Sequence, residues 1–294
     1  MSRITRTGRP RRPLALLLSL ATLLAPITCR RSAVGPGERV VCVSKQINEL
    51  LYDIDAESVL VARDLTSIYP PQIRALPSVG YHRALSAEGI ISMRPTMLLT
   101  DGNLGPDAVV TQVAKVGIPV VTMHPGSTPD SAMALMSALG ARFGKQHAAD
   151  SVIAAWRSAM SAALADSATR RAGRKPRVLV MHFGQIFNDY LAVKRGTPAD
   201  RIIEWAGGEN AIDSVGGMMR LTPELIAKAA PDIIIATDVG FDRLGSAAKF
   251  AALPGVALTP AAKSGRIHRI DESEVMYFTP RTPATLRKVA GWLR

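Results

Sequence analysis

Tyr81, His82 and Arg83 stand side by side in "LPSVGYHRALSAEGI", residues 76–90, in a chain of which only 5% is aromatic. The three offer a phenol, an imidazole and a guanidinium immediately ahead of a helix start. If the segment is extended, Tyr81 and Arg83 project to one side and His82 to the other. A phenol with a pKa near ~10 gives up its proton reluctantly at neutral pH, and a guanidinium beside it favours the phenolate. Tyr81 with Arg83 is therefore a candidate ligand-binding pair, although on residue type alone a tyrosine after glycine is more often a half-buried packing residue. His182 is a second candidate. It ends the apolar strand "RVLVMH", and ligands of open α/β sheets gather at strand carboxyl ends, the plain alternative being a structural histidine.

Other chemistries find less support. The first apolar strand runs into "SKQINELL" without a Gly-rich phosphate turn, no zinc-ligand spacing occurs, and no Ser-His-Asp set emerges from motif context, so an enzyme is not expected. Residues 1–33 read as a signal peptide: Arg3, Arg6, Arg9, Arg11 and Arg12 precede an apolar run from Leu14 to about Leu24, too short to span a membrane. The Arg11-Arg12 pair leaves twin-arginine export open. Residues 1–32 carry seven arginines and no acid, so the formal charge of +12 falls to +5 without them, and the basic pI is no argument for nucleic acid. Of the two cysteines, Cys29 lies at the end of the leader and Cys42 in an apolar run, so no internal disulfide is expected. "PITC" is a poor lipidation box, which argues against a lipid anchor at Cys29.

The elements that must hold these residues repeat. Leu85-Ser86-Ala87-Glu88, then Pro95, then Met97-Leu98-Leu99 returns 136 residues later as Leu221-Thr222-Pro223-Glu224, Pro231 and Ile233-Ile234-Ile235. Ser86 and Thr222 are N-caps, Pro223 suits the first helical position, and each Glu complements a helix dipole. Each copy is a short capped helix feeding a buried strand. "RVVCVS", "SVLVA" and "IPVVTM" read as strands and "INELLYDI" and "DAVVTQVAKVG" as helices of an N-terminal lobe over 38–128. "PRVLVMH", "RIHRI" and a helix from about Thr282 belong to a C-terminal lobe over 175–294. Between them, 129–172 read as a long linking helix with one or two breaks. Strands alternating with helices imply mainly parallel sheets.

"RDLTSIYPPQIRALPSVGYHRALSAEGIISMRPTMLLT" resembles the N-lobe core of periplasmic haem-binding proteins, the substrate-binding components of haem-uptake ABC transporters. Asp64, Thr66, Ser67, Tyr69, Pro70, Leu76, Pro77, Val79, Gly80, Tyr81, Arg83 and Leu85 to Gly89 match the pattern, and "KRGTPADRIIEWAGGENAID" and "PRTP" resemble the family further on. The resemblance runs from about residue 39 to the C-terminus. It implies an α/β fold of the helical-backbone metal-receptor type: two lobes with mainly parallel sheets joined by one long linking helix.

The same resemblance implies roles. Tyr81 is expected to ligate ferric haem iron as a phenolate, with Arg83 favouring that form and pairing with a haem propionate. His182 is expected on the opposite haem face, although "HFGQIFNDYLAVKRGT" departs from the Gly-rich turn common there, and His82 is expected at the rim. Met218, Met219, Met276, Tyr277 and Phe278 fall in segments expected to return to the cleft and give it an apolar wall. Glu88 and Glu224, one per lobe, are expected to dock arginines on the two halves of a dimeric ABC permease that works with an ATPase, and an outer-membrane haem receptor would stand upstream. A ferric siderophore or a corrinoid is the alternative cargo; a siderophore brings its own iron ligands and calls for a site richer in arginine and tryptophan.

Overall fold

Short continuous apolar runs, buried on both faces, are what build the central strands of the two sheets. The computed structural model describes residues 37–168, 173–186 and 188–294, so the expected leader with Cys29 and the last four residues of the expected linker lie outside the described residues. The N-lobe runs β1 (Val40–Val43), α1 (Lys45–Asp53), β2 (Leu60–Arg63), α2 (Ala87–Ser92), β3 (Met97–Thr100), α3 (Asp107–Lys115) and β4 (Val120–Thr122). Its sheet is all parallel, in the order β2-β1-β3-β4. Val40 and Cys42 face one core while Val41 and Val43 face another, which is why "VVCV" is apolar throughout.

Two helices join the lobes, α4 (Pro129–Arg142) and α5 (Gln146–Ala168). α4 starts with a reciprocal Thr128–Ser131 capping box and Pro129 in its first turn. The corner at 143–145 uses Gly144 at φ +68°. A side chain on Gly140 would come within 2.6 Å of the Ala149 Cβ, so a glycine is what lets the two helices pack at that corner. The expected long helix with one or two breaks is thus two packed helices with one break, of which the 23-residue α5, about 35 Å long at ~1.5 Å per residue, is the long one.

The C-lobe continues with β5 (Arg177–Gly184), β6 (Asp189–Val193), α6 (Pro198–Ala206), β7 (Glu209–Asn210), β8 (Met218–Arg220), α7 (Pro223–Ala229), β9 (Ile233–Thr237), α8 (Asp238–Asp242), α9 (Ala247–Ala251), α10 (Pro260–Lys263), β10 (Ile267–Ile270), α11 (Glu272–Met276) and α12 (Thr282–Trp292). Its sheet has the order β10-β9-β5-β6-β8, with β7 on β5. β10, β9, β5 and β7 pair in parallel, whereas β5-β6-β8 is an antiparallel meander. The parallel expectation fails there because β5 runs on beyond its two-residue parallel partner β7, and the next strand in the chain, β6, takes up that same edge antiparallel.

One core runs through both lobes, from Val40 and Met97 through Leu139, Ile153 and Trp156 to Val180, Ile235 and Leu286. Polar pins reinforce it beside the hinge. The buried Gln46 amide donates to the Phe278 carbonyl at 2.9 Å and its oxygen accepts from Gly126 N–H. The Trp156 indole donates to Thr279 O at 3.1 Å. Arg281, stacked 3.6 Å over Tyr69, makes a two-pronged contact of 2.8 and 2.7 Å with Glu49, whose side chain is 1% exposed. Removing Arg281 leaves that carboxylate buried and unpaired, so Arg281→Ala should cost about 3–5 kcal/mol in a urea titration.

Asp53, one helical turn along from Glu49, has an Oδ2 without a hydrogen-bond partner, and burial together with Glu49 pushes its pKa up to about 7 against the opposing pull of Arg281. Between its ordinary value of 3.8 and about 7, the folded chain holds a proton that the unfolded chain has released, so stability falls as pH rises through that window. Asp53→Asn should therefore raise stability at about pH 8, by at most about 4 kcal/mol, and leave it unchanged near about pH 3.5. An equal effect at both pH values would refute this account.

Candidate functional site

The N-lobe chain runs outward from β1 to β2 and then crosses back to β3, so the strand order reverses between β1 and β3. A crevice forms outside the strand carboxyl ends at such a reversal. Ser44 and Lys45 follow β1, Asp64 and Thr66 follow β2, and Asp101 and Asn103 follow β3, and all six line one cleft. The Ser44 hydroxyl caps α1, accepting from Ile47 N–H, and donates to Asp101 Oδ2 at 2.8 Å, which ties two of these loops together. The buried Asp64 carboxylate accepts from Thr66 N–H at 2.8 Å and from the hydroxyls of Thr66 and Ser67.

The Tyr81 segment is pinned to this floor. Residues 77–80 lie parallel along the β2 edge, with Val79 N–H donating to Arg63 O at 2.9 Å and Leu65 N–H to Gly80 O at 2.7 Å. Gly80 at φ +102° then turns the chain, and Ala84 N–H donates to Tyr81 O at 2.8 Å. The segment is therefore a tight turn instead of the extended stretch expected, and Tyr81, His82 and Arg83 all line the cleft. His82 is not a rim residue pointing away. Its ring centroid lies 4.5 Å from that of Tyr81, with Nδ1 3.4 Å from Thr66 Oγ1 and 3.9 Å from Asp64 Oδ2.

Arg83 is exposed, and no carboxylate pairs with it among the described residues. Burial pushes the Tyr81 pKa up and Arg83 pulls it down without cancelling the rise, so Tyr81 is a neutral phenol in the empty cleft.

On the opposite wall, β5 pairs with β9 along one edge as far as Met181 and with β6 along the other edge from Met181 to Gly184. His182 therefore lies inside a strand that continues to Gly184, not at its end as expected, and forms a cross-strand row with Leu191 and Arg220. Its Nδ1 is 3.3 Å from Thr237 Oγ1 and 4.0 Å from Glu272 Oε2. That same carboxylate oxygen is 2.7 Å from Lys45 Nζ of the other lobe. Burial opposes the Glu272 charge, but Lys45 and His182 outweigh it and hold the pKa below the ordinary carboxylate value. Burial likewise opposes the Lys45 charge, and Glu272 keeps it protonated.

Met218, Met219, Met276 and Tyr277 line the cleft as expected, and Phe278 does not. The extended backbone at Tyr277 sends consecutive side chains to opposite sides, and Phe278 is buried in the core against Trp205, centroids 5.7 Å apart. Burial, with Glu272, Asp101 and Asp64 nearby, pushes the Tyr277 phenol far above its ordinary pKa. Glu88 and Glu224 lie outside the cleft, exposed in the first turns of α2 and α7, which follow the cleft segments of Arg83 and Arg220. Backbone and Thr222 hydroxyl hydrogen bonds lower the Glu224 pKa.

Lys45, Asp101, Arg220 and Glu272 were not singled out from the sequence, and His82 was given a place at the rim. Position was the available signal for three of them, since Lys45, Asp101 and Glu272 closely follow the carboxyl ends of β1, β3 and β10. The cleft holds about 650 Å³, within the range of about 300–1,000 Å³ usual for pockets that enclose a small organic ligand. Among the described residues, no three His, Cys, Asp or Glu side chains cluster to hold a bare metal ion.

Residues 40–274 match the family model described as periplasmic binding protein. The chain belongs to that family. It is one of binding proteins and not of enzymes. Among solved structures, the periplasmic haem-binding protein BhuT in complex with two haems superimposes with a TM-score of 0.77 at 29% identity, covering 87% of this chain and 97% of that one. The apo form of the periplasmic haem-binding protein RhuT from Roseiflexus sp. RS-1 gives a TM-score of 0.77 at 28% identity over 88% and 98% of the two chains. A vitamin B12-binding protein of Yersinia pseudotuberculosis serotype O:1b (strain IP 31758) is 30% identical over 116 residues, 40% of this chain. That match spans only 38% of the relative's own length. Among the described residues, no helix of this binding protein is long and apolar enough to cross a membrane.

Burial lowers the pKa of both cleft histidines below 6.5, with Asp64 partly opposing this at His82 and Glu272 at His182. Both should titrate below 6.5 in a proton NMR titration of the empty protein, and Asp64→Asn should push His82 lower still. A rise on that substitution would show that Asp64 does not act on the ring.

Proposed function

We propose that this binding protein captures ferric haem between its lobes and delivers it to a dimeric ABC permease, after export directed by residues 1–33. The observation that carries the reading is the convergence on one cleft of a phenol from one lobe, Tyr81, and an imidazole from the other, His182, with the unpaired Arg83 guanidinium beside the phenol. A planar ligand that fills its own equatorial positions leaves its two faces open to axial donors, and an apolar wall such as Leu191, Met218 and Met276 suits a porphyrin. Iron supplies the energy that the neutral phenol lacks for losing its proton, and Arg83 lowers the cost.

A corrinoid is the second reading, supported by the partial match to vitamin B12-binding proteins. Its peripheral amides offer Arg83 no carboxylate, so the two readings separate on that residue.

Titrating the purified protein with hemin should give the charge-transfer bands of a ferric phenolate complex, which Tyr81→Ala should abolish while weakening binding strongly. Saturable cyanocobalamin binding with no hemin complex would favour the corrinoid. Arg83→Ala should weaken hemin binding by roughly 1.5–3 kcal/mol, and Arg83→Lys should recover only part of that, because an ammonium cannot make the two-pronged contact. His182→Ala should shift the ferric spectrum toward a five-coordinate form.

Glu88 and Glu224 are read as docking acids. The double substitution Glu88→Ala, Glu224→Ala should leave hemin titration unchanged and impair uptake into vesicles carrying the cognate permease and ATPase. Normal uptake would reject the docking role.

A further inference from the structure

Glu272 belongs to neither wall's set of iron-facing donors, yet it touches both walls. One oxygen, Oε2, is 2.7 Å from Lys45 Nζ at the start of α1 and 4.0 Å from His182 Nδ1 on β5. All three side chains are largely withdrawn from water, at 16, 14 and 14% exposure for Lys45, His182 and Glu272. Glu272 is itself fixed: its N–H donates to Asp238 Oδ1 at 3.2 Å, and Asp271 caps the helix it begins by accepting from Ser273 N–H at 2.9 Å.

The imidazole is held from one edge. Thr237 Oγ1 and Glu272 Oε2 both approach Nδ1, and no hydrogen bond within the described residues engages Nε2. The Thr237 hydroxyl within hydrogen-bond reach of Nδ1, and the Glu272 negative charge 4.0 Å from the same nitrogen, favour the tautomer that carries its proton there and leaves the Nε2 lone pair for a ligand. The carboxylate whose charge adds to this preference is also one half of an ion pair between the lobes.

We propose that Glu272 is a positioning residue that couples ligation by His182 to closure of the cleft through Lys45. With the lobes together, Lys45 holds the carboxylate where it orients the imidazole; when they part, the pair breaks and the imidazole loses its fixed support. The cargo is thereby held more tightly in the closed form than the apolar walls alone would hold it. This rests on the haem reading for the identity of the cargo, while the ion pair itself is a property of the empty protein.

The test uses the full chain loaded with hemin, with the ferric spectrum and the rate of hemin transfer to apomyoglobin as readouts. Glu272→Gln should give a spectrum shifted toward that of His182→Ala and faster release. Lys45→Met should shift the spectrum in the same direction as Glu272→Gln but less far, because Glu272 still faces His182 without being held there, and should raise the release rate roughly tenfold, the factor equivalent to about 1.4 kcal/mol. The charge swap Lys45→Glu, Glu272→Lys should recover slow release but not the His182-dependent spectrum, since it restores the pair between the lobes and puts a cation against the imidazole. A Glu272→Gln spectrum identical to wild type, or wild-type release from Lys45→Met, overturns the proposal.

If the wild-type protein forms no Tyr81-dependent hemin complex, the haem reading falls by itself. The closure half is then read from amide exchange in the empty protein over Lys45–Asp53 and Glu272–Met276. Faster exchange in Lys45→Met upholds the pair as a closing contact, and unchanged exchange rejects it.

Discussion

The constraint on which the rest of the structure depends is the single apolar core that passes from one lobe to the other. Met136, Leu139, Ile153 and Trp156 on the two connecting helices share it with strands of both sheets. Separating the lobes widely would expose this surface, at roughly 25 cal/mol per Å² of apolar area. Wide opening of the hinge is accordingly costly, so any parting of the lobes is confined to small movements about the cleft. Gln46 and Glu49 reach from the N-lobe to Phe278 and Arg281 of the C-lobe, and Trp156 ties the connecting helix α5 to Thr279, so that polar contacts reinforce the same join.

The enclosure of the cleft explains its electrostatics. The walls exclude water, and burial drives the candidate ligands toward their neutral forms: both imidazoles are pushed down and the phenols of Tyr81 and Tyr277 are pushed up. Neutral imidazole is the ligating form, whereas neutral phenol is not. On the proposed haem reading, the empty site is thus ready on the C-lobe side and incomplete on the N-lobe side until iron takes over the phenol's oxygen. Arg83 reduces that deficit, and its exposure keeps the guanidinium available to the edge of a bound ligand.

Most of the strands and helices were legible because they obey local rules: "VVCV" and "IIIAT" are buried on both faces, and Ser86 and Thr222 cap their helices by accepting from the third residue on. What escaped were features set by relations between distant segments. The turn after Gly80 depends on Leu65 and Gly105 holding the chain on either side, and it brought His82 into the cleft against the two-residue alternation assumed for it. The meander from Met181 onward depends on β7, more than twenty residues further along the chain, covering only Arg177 and Val178 of that β5 edge, which no window around His182 reveals. Lys45 and Glu272 are 227 residues apart, and their pairing is a consequence of the lobes facing each other by their strand carboxyl ends.

The two lobes are related by the repeat and distinguished by one addition. α2 with β3 and α7 with β9 are equivalent in cap, in acid and in the buried strand that follows, so each lobe presents the same kind of capped helix with an exposed glutamate in its first turn. A surface built twice suits a partner that is itself two-fold. The cleft, by contrast, is asymmetric, because only the C-lobe carries the β5-β6-β8 meander, and that meander carries the row His182, Leu191 and Arg220. The N-lobe answers with a turn bearing Tyr81, His82 and Arg83. Symmetry therefore lies in the helices outside the cleft and asymmetry in the segments inside it. An unsymmetrical pair of donors can bind the two faces of one flat ligand while the exterior keeps matching acids, so cargo and partner place no conflicting demand on the same residues.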